Sequence, residues 1–366
     1  MTHRSTPYLR RFALTTTCVL LIFSGLSGAM STTHAQTRAY VTNTCNNHVS
    51  VIEVASNTVI AIIPVPSPVG VAITPGGTKA YVTNFFNNTV SVIDTATNIV
   101  IHVIPVGIHP SRVAITPDGT LAYVVNETSN TVSVIDTMTN TVIANIPVGL
   151  GPSDVTTTPD GTRAYVANVS SNSVSVIDTS TNTVTAVIPV CCSPFRIAAT
   201  PDGARVYVPA TNAVSVIDTT TNTVIGNIPI NSAFAVSITP DGTRAYVTTL
   251  GGPGPHTVAV IDTMSNAVIA SVTVGFGPVG IAITPDSKRA YVANQNNVTV
   301  SVIDTTTNSV ITTIFDSCPV GIAITPAERA PINKGECKDG GYKTFGPPVG
   351  PFKNQGQCIK HVNDSP

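Results

Sequence analysis

Arg112, Asp154 and Arg196 occupy one position in three successive units of a repeating sequence, where the other units carry Gly70, Ala235, Gly280 and Gly321. Two guanidinium groups flanking a carboxylate could hold an anionic ligand, or could pair with one another as a spacer between units. Both readings stay open from sequence. Five other residues are also unshared between units and fall in loops that point to the same end: Phe85, Phe86, His109, Glu127 and His256, the last in a longer loop of residues 250–256. Adjacent loop phenylalanines could anchor a partner or could pack on a neighbouring unit. These eight residues are the ligand-binding or partner-binding candidates.

The remaining chemistry-bearing residues are accounted for by the repeat. Of 19 acidic residues, seven recur at one position (Glu53, Asp94, Asp136, Asp178, Asp218, Asp262 and Asp304) and five at another (Asp118, Asp160, Asp202, Asp241 and Asp286). A residue that returns with nearly every unit is explained by the unit, so these twelve read as turn formers. Within the repeats Glu127, Asp154, Asp316 and Glu328 are left, with no carboxylate pair suited to glycoside hydrolysis. Serines and threonines are abundant, but none sits in a nucleophile elbow or beside a His and Asp pair. His48, His102, His109 and His256 belong to different units, which predicts no shared metal. No Cys-x-x-Cys pair, haem attachment sequence or glycine-rich phosphate loop occurs. The expectation is a protein without catalytic residues, metal or cofactor.

What positions the candidates is the repeat itself. Seven of the nine tyrosines, Tyr40, Tyr81, Tyr123, Tyr165, Tyr207, Tyr246 and Tyr291, are spaced by 41, 42, 42, 42, 39 and 45 residues. A period of that length built from short alternating runs predicts propeller blades. In the third unit, 111–116 reads as a first strand, Asp118-Gly119 as a hairpin, 121–126 and 131–135 as the second and third strands, and 141–148 as the fourth. The fourth strand ends at Pro64, Pro105, Pro147, Pro189 and Pro229 in five units. Proline suits an edge, so this strand is outermost and the first lines the channel. The repeats begin at a second strand (38–43) and end with a first strand (320–325), so the last strand is expected to complete the first blade and close the ring. The fold class is therefore all-β, a seven-bladed propeller of four-stranded antiparallel blades.

Ala39-Tyr40-Val41-Thr42-Asn43, together with the Thr-Pro-Asp-Gly and Ser-Val-Ile-Asp-Thr runs, resembles the YVTN family of β-propeller repeats over residues 38–326. Departures are Pro209-Ala210 and Thr248-Thr249 in place of Thr-Asn, and Gly76 in place of Asp. The resemblance implies an exported or surface protein and no shared catalytic residues. After Pro331 the composition changes, and Cys337 to Cys358 resembles a short two-cysteine tail of secreted bacterial proteins. This divides the chain into a leader (1–35), the propeller (36–330) and the tail (331–366).

The leader has Arg4, Arg10 and Arg11 before an apolar run of residues 12–26, then small residues ending at Ala35, as in a secretory signal peptide. Arg10-Arg11-Phe12 leaves the twin-arginine route open. No later segment approaches the roughly 20 apolar residues of a spanning helix, so no membrane span is expected in the mature protein. Lys and Arg number 18 against 19 acids, with net charge -1. Without a basic stripe, nucleic-acid binding is not expected.

Six cysteines follow the leader: Cys45, Cys191, Cys192, Cys318, Cys337 and Cys358. An even number in an oxidising compartment predicts disulfides. Cys191 and Cys192 are expected either joined to each other or both free. For Cys45 and Cys318 the register argues for a bond. In the third unit paired residue numbers sum to 237, so position 109 faces position 128. Cys318 stands at the phase of His109 and Cys45 at that of Thr128. The functional expectation is an exported, non-catalytic binding or scaffold protein whose partner is an extracellular or envelope protein or a small ligand. Its rival is a hydrolase of the propeller lactonase type.

Overall fold

The computed structural model describes residues 37–251 and 254–326. The leader, and the tail with Cys337 and Cys358, lie outside the described residues. Blade three shows how each unit folds. Its strands are Pro110–Ile115, Leu121–Asn126, Thr131–Asp136 and Thr141–Pro147, antiparallel in that order. Alternation along the middle strands sends Tyr123, Val125, Val132 and Val134 into one apolar cluster, and Ala122, Val124 and Ile135 into the cluster on the opposite face. Both faces are buried because each cluster is shared with the adjacent blade. The core is thus seven slabs between blades rather than one centre.

The hairpin between first and second strands is held from within. Asp118 Oδ1 accepts from Thr116 Oγ1 at 2.6 Å and from the Thr120 N–H at 3.0 Å, and Gly119 takes φ 75°, which a side chain would disfavour. At the same end, Asp136 Oδ1 accepts the N–H groups of Met138 and Thr139. These bonds hold the Asp118 and Asp136 carboxyls below their ordinary range.

The recurring tyrosine does more than pack. Each of the seven hydroxyls donates to the side-chain oxygen of an asparagine in the next blade, at 2.5 to 2.8 Å: Tyr40 to Asn98, Tyr81 to Asn140, Tyr123 to Asn182, Tyr165 to Asn222, Tyr207 to Asn266, Tyr246 to Asn308 and Tyr291 to Asn57. Each of those asparagines has positive φ, between 52° and 57°; asparagine tolerates this left-handed conformation better than most residues. Burial pushes the tyrosine pKa values up, to about 12 for Tyr81 and Tyr123, so the hydroxyls stay protonated donors. In six blades the cation at the start of the second strand donates to a carbonyl of the same neighbouring turn, as Arg38 does to Thr95 O and Lys79 to Thr137 O. Blade three carries Leu121 there instead.

The remaining blades span residues 68–105 (two), 152–189 (four), 198–229 (five), 233–273 (six) and 278–315 (seven). Blade one is composite: Pro319–Ile324 pairs with Arg38–Asn43, followed by His48–Glu53 and Thr58–Pro64. The ring closes as the sequence predicts. Cys45 and Cys318 are joined across this seam, with Cα atoms 5.7 Å apart. Asp316, standing where the other blades carry Val or Ile, accepts the Ser50 hydroxyl at 2.8 Å and adds a further tie between blades seven and one.

Two details depart from the sequence reading. First, the innermost strand begins one residue earlier, at Pro110, and is bulged: Val113 pairs with Val124 but Pro110 pairs with Asn126. The register past the bulge, which falls between Pro110 and Arg112, is one residue off the constant sum, and the residue before the strand, His109 in blade three and Cys318 at the seam, takes positive φ. The side chains still meet, as His109 Nδ1 lies 2.8 Å from Thr128 Oγ1. Second, the innermost strand of blade five is only Ala198–Ala199. Pro209 stands opposite the missing part and has no N–H to donate to the ladder.

Two measurements check these ties. Tyr123→Phe leaves Asn182 without its donor and is expected to lower unfolding stability by about 1 kcal/mol in chemical denaturation. The seam disulfide closes a separation of 273 residues, for which the chain-entropy relation gives up to about 5 kcal/mol. Cys45→Ser should lower the thermal midpoint of the oxidised protein, and reductant should then lower it little further from this site; a free Cys45 thiol in non-reducing peptide maps would contradict the bond.

Candidate functional site

The innermost strands surround the channel, and one position on each decides its shape. In blades seven, one and two this position is Gly280, Gly321 and Gly70. A Cβ on Gly280 would lie 2.2 Å from Val320 O, on Gly321 2.4 Å from Val69 O, and on Gly70 2.6 Å from Ser111 O. Only glycine allows these strands to close on one another. In blades three, four and five the same position carries Arg112, Asp154 and Arg196, and in blade six Ala235. All four line one cavity of about 140 Å³ together with Gly280, Gly321 and aliphatic side chains including Val71, Val113, Val236, Ile281 and Ile322. The shared phase read from the sequence therefore becomes shared space.

Arg112 is 8% exposed. Its Nη1 donates to Val69 O, which also accepts the Thr42 hydroxyl at 2.8 Å. Its guanidinium passes over Gly321, where a Cβ would lie 3.0 Å from Nη1. Burial lowers the Arg112 pKa to about 10, against the opposing pull of Asp154. Asp154 sits with one oxygen on the Val155 N–H at 2.9 Å and the other on the Ile197 N–H at 3.1 Å. Burial raises its pKa to about 6, while Arg112 and the two N–H groups oppose the rise. Half-buried Arg196 lies with its Cζ 5.4 Å from the centre of the Phe234 ring, a cation–π contact. Phe195 packs on Phe234 at 5.1 Å. These two phenylalanines were not among the sequence candidates, although they hold one phase in adjacent blades, directly before Arg196 and Ala235.

The loops at the end where the innermost strands begin hold the other candidates. Phe85 lies in the short turn Phe85–Asn87. Its ring stacks on His109 at 4.5 Å and 3°, and Phe86 meets it edge-on at 5.1 Å. Phe86 is 69% exposed, and Ile108 and Leu150 are exposed in the next two inter-blade loops. Glu127 is exposed in the loop between them. His256 is instead buried, its ring 4.1 Å from Phe276, with no hydrogen-bond partner for either nitrogen among the described residues. Cys191 and Cys192 form a disulfide with each other and are exposed at this same end. Among the described residues no group of three or more His, Cys, Asp or Glu is placed to hold a metal ion, and no helix is long and apolar enough to cross a membrane.

The fold is a seven-bladed β-propeller. A family model described as a YNCE-like β-propeller matches residues 116–241, a span of three repeats. No curated protein matches the chain. Among solved structures, a Desulfotomaculum acetoxidans protein of unknown function aligns with TM-score 0.70 at 20% identity, over 79% of this chain and 99% of that one. Kuenenia stuttgartiensis hydrazine synthase aligns with TM-score 0.67 at 24% identity, over 72% and 90%. Pseudomonas aeruginosa periplasmic gluconolactonase aligns with TM-score 0.68 at 16% identity, over 80% and 100%. At such identities the likeness is one of fold.

The environment of Asp154 has a pH consequence. Its pKa in the folded protein, about 6, lies above its ordinary value of 3.8, so between those values the native state binds more protons than the unfolded chain. This group therefore costs stability increasingly as pH rises from about 4 to about 6, by on the order of 3 kcal/mol. Asp154→Asn should remove that component, leaving a flatter stability profile over the interval in urea titrations. An unchanged slope would show that the carboxyl is as well solvated as in the unfolded chain.

Proposed function

We propose that this chain is an exported, non-catalytic binding or scaffold protein of the YVTN repeat type, which engages an extracellular or envelope protein through the loop face of its propeller. The observation that carries this reading is the apolar arc on that face. Phe86, Ile108 and Leu150 are exposed in neighbouring loops, and Phe86 is backed by the Phe85 and His109 stack. Large apolar groups held out by short, buttressed loops lose little conformational freedom on binding, which is what an anchor at a protein interface requires. Export is supported by the signal-like leader and by two disulfides, and the periplasmic gluconolactonase offers a precedent for the fold in that compartment. The tail would serve as an auxiliary element.

The experiment is capture of envelope and secreted proteins of the producing cell by the mature chain, compared with a Phe86→Ser, Leu150→Ser variant. Exposed positions tolerate these changes, so the thermal midpoint should hold while affinity for the captured partner falls at least about tenfold. Equal capture by both proteins would remove the loop face from the reading. A lactonase-like hydrolase is the second reading, favoured by the charged channel cavity and by the fold shared with the Pseudomonas aeruginosa enzyme. Metal analysis of the mature protein and a lactone-hydrolysis assay separate the two, since turnover that Asp154→Asn abolishes would replace the binding reading with the enzymatic one.

A further inference from the structure

We propose that the Cys191–Cys192 disulfide on the loop face is a thiol-exchange site, open to attack by a thiolate from outside the chain. It stands apart from partner binding on that face, because it concerns one bond and its chemistry. Both cysteines are exposed. A thiol in solution can therefore reach them, and access is one of the conditions that set the rate of exchange.

The loop is rebuilt to hold the pair. Blades three, four and seven carry Gly107, Gly149 and Gly275 just ahead of their innermost strands, and a Cβ on each would lie 2.6 to 2.7 Å from Cγ of Asn126, Asn168 or Asn294. In blade five Cys191 stands at the glycine phase, and the asparagine is replaced by Ala210, which has no Cγ to meet it. Two departures from the repeat thus go together. Cys192 follows at the phase of Ile108, Leu150 and Phe276, all of them exposed.

The backbone is also unlike that of the other loops. The residue before the innermost strand has positive φ throughout the ring, and in blade five it is Ser193 at 58°. Only here, among the described residues, does its predecessor join it, Cys192 at 49°. A left-handed conformation outside glycine is unfavourable and persists where its surroundings impose it. Cys192 O accepts the Thr211 N–H at 3.0 Å, and the Ser193 N–H donates to Asn172 Oδ1 at 2.7 Å. The peptide linking the two residues is anchored through both its polar groups.

Stability does not account for the bond. In the chain-entropy relation a disulfide stabilises a fold more the longer the loop it closes; Cys45 and Cys318 are 273 residues apart, whereas Cys191 and Cys192 are one apart. By linkage, a bond that adds little to the fold is held closed only weakly by the fold. The seam bond is the structural one, and the exposed vicinal bond is the reactive one. In the reaction an incoming thiolate attacks Sγ of one cysteine, the Sγ–Sγ bond breaks, and the other cysteine leaves as a thiolate that takes a proton from water. A second thiolate attacks the external sulfur of the mixed disulfide, so two thiols are oxidised to one disulfide while the pair is reduced by two electrons.

The test exposes the oxidised mature chain to rising concentrations of reduced glutathione, or to reduced thioredoxin, with alkylation and peptide mass spectrometry as the readout. Cys191–Cys192 is expected to open at about a tenfold lower glutathione concentration than Cys45–Cys318. At equal thiol concentration, faster opening by glutathione assigns the attacking thiol to small molecules, and faster opening by thioredoxin assigns it to proteins. The double variant Cys191→Ala, Cys192→Ala should shift the thermal midpoint much less than Cys45→Ser does. The proposal is overturned if Cys45–Cys318 opens first or at the same concentration, if Cys191 and Cys192 are free thiols in the oxidised protein, or if the double variant loses as much stability as Cys45→Ser.

Discussion

The hydrogen bond from each buried tyrosine to an asparagine of the next blade is the interaction on which this architecture turns. Apolar burial between blades is strong but non-directional; it would tolerate a slide or a change of tilt. A phenol oxygen 2.5 to 2.8 Å from one amide oxygen does not. Because every blade is both donor and acceptor, the seven bonds form a closed circuit that fixes the angle of each blade to the next. The positive φ of the asparagines is part of the same device, since it turns the side chain outward from its own turn to meet the neighbour.

The channel is where that regularity is broken to some purpose. On one side, glycines let the innermost strands approach until only backbone lies between them, and Thr42 and Thr83 donate to the carbonyls of Val69 and Ser111. On the other side, side chains of increasing polarity hold the strands apart and create room. The position of Arg112 depends on both halves: its charge is opposed by Asp154 of blade four, while its hydrogen bond and the space for its guanidinium come from Val69 of blade two and Gly321 of blade one. A departure from sevenfold repetition therefore shapes this part of the channel wall, where the shared blade pattern alone would leave none of these charges.

Most of the fold was legible because a 42-residue period with Tyr, Asp-Gly and Pro at fixed offsets leaves few alternatives. The strand order and the closure of blade one followed from it, and so did the pairing of Cys45 with Cys318. The one-residue bulge between Pro110 and Arg112 was not legible, and neither was the positive φ of the residue before the strand, which no single residue type announces: Ser67, His109, Gly151 and Cys318 all adopt it. Nor was the tyrosine's partner, which lies 57 to 62 residues away for six of the seven and becomes a neighbour only once the ring exists. Of the candidate site, the alignment of Arg112, Asp154 and Arg196 could be read by phase. The burial of Arg112 could not, because it depends on glycines in other blades. His256 looked like a loop histidine but is covered by Phe276.

The composite first blade also sets an order in time. Arg38–Asn43 emerges from the ribosome among the first strands of the propeller, yet the strand that covers its inner edge, Pro319–Ile324, is nearly the last. Until then that edge has its backbone donors and acceptors free to pair elsewhere. Blades two to seven can each form from contiguous sequence as they appear, but the ring cannot lock before almost the whole propeller exists, and its final step joins segments of very high sequence separation, which is slow. A nascent chain of this design is thus kept unfinished for nearly the whole of its synthesis, a state open to capture by a chaperone that recognises an exposed strand.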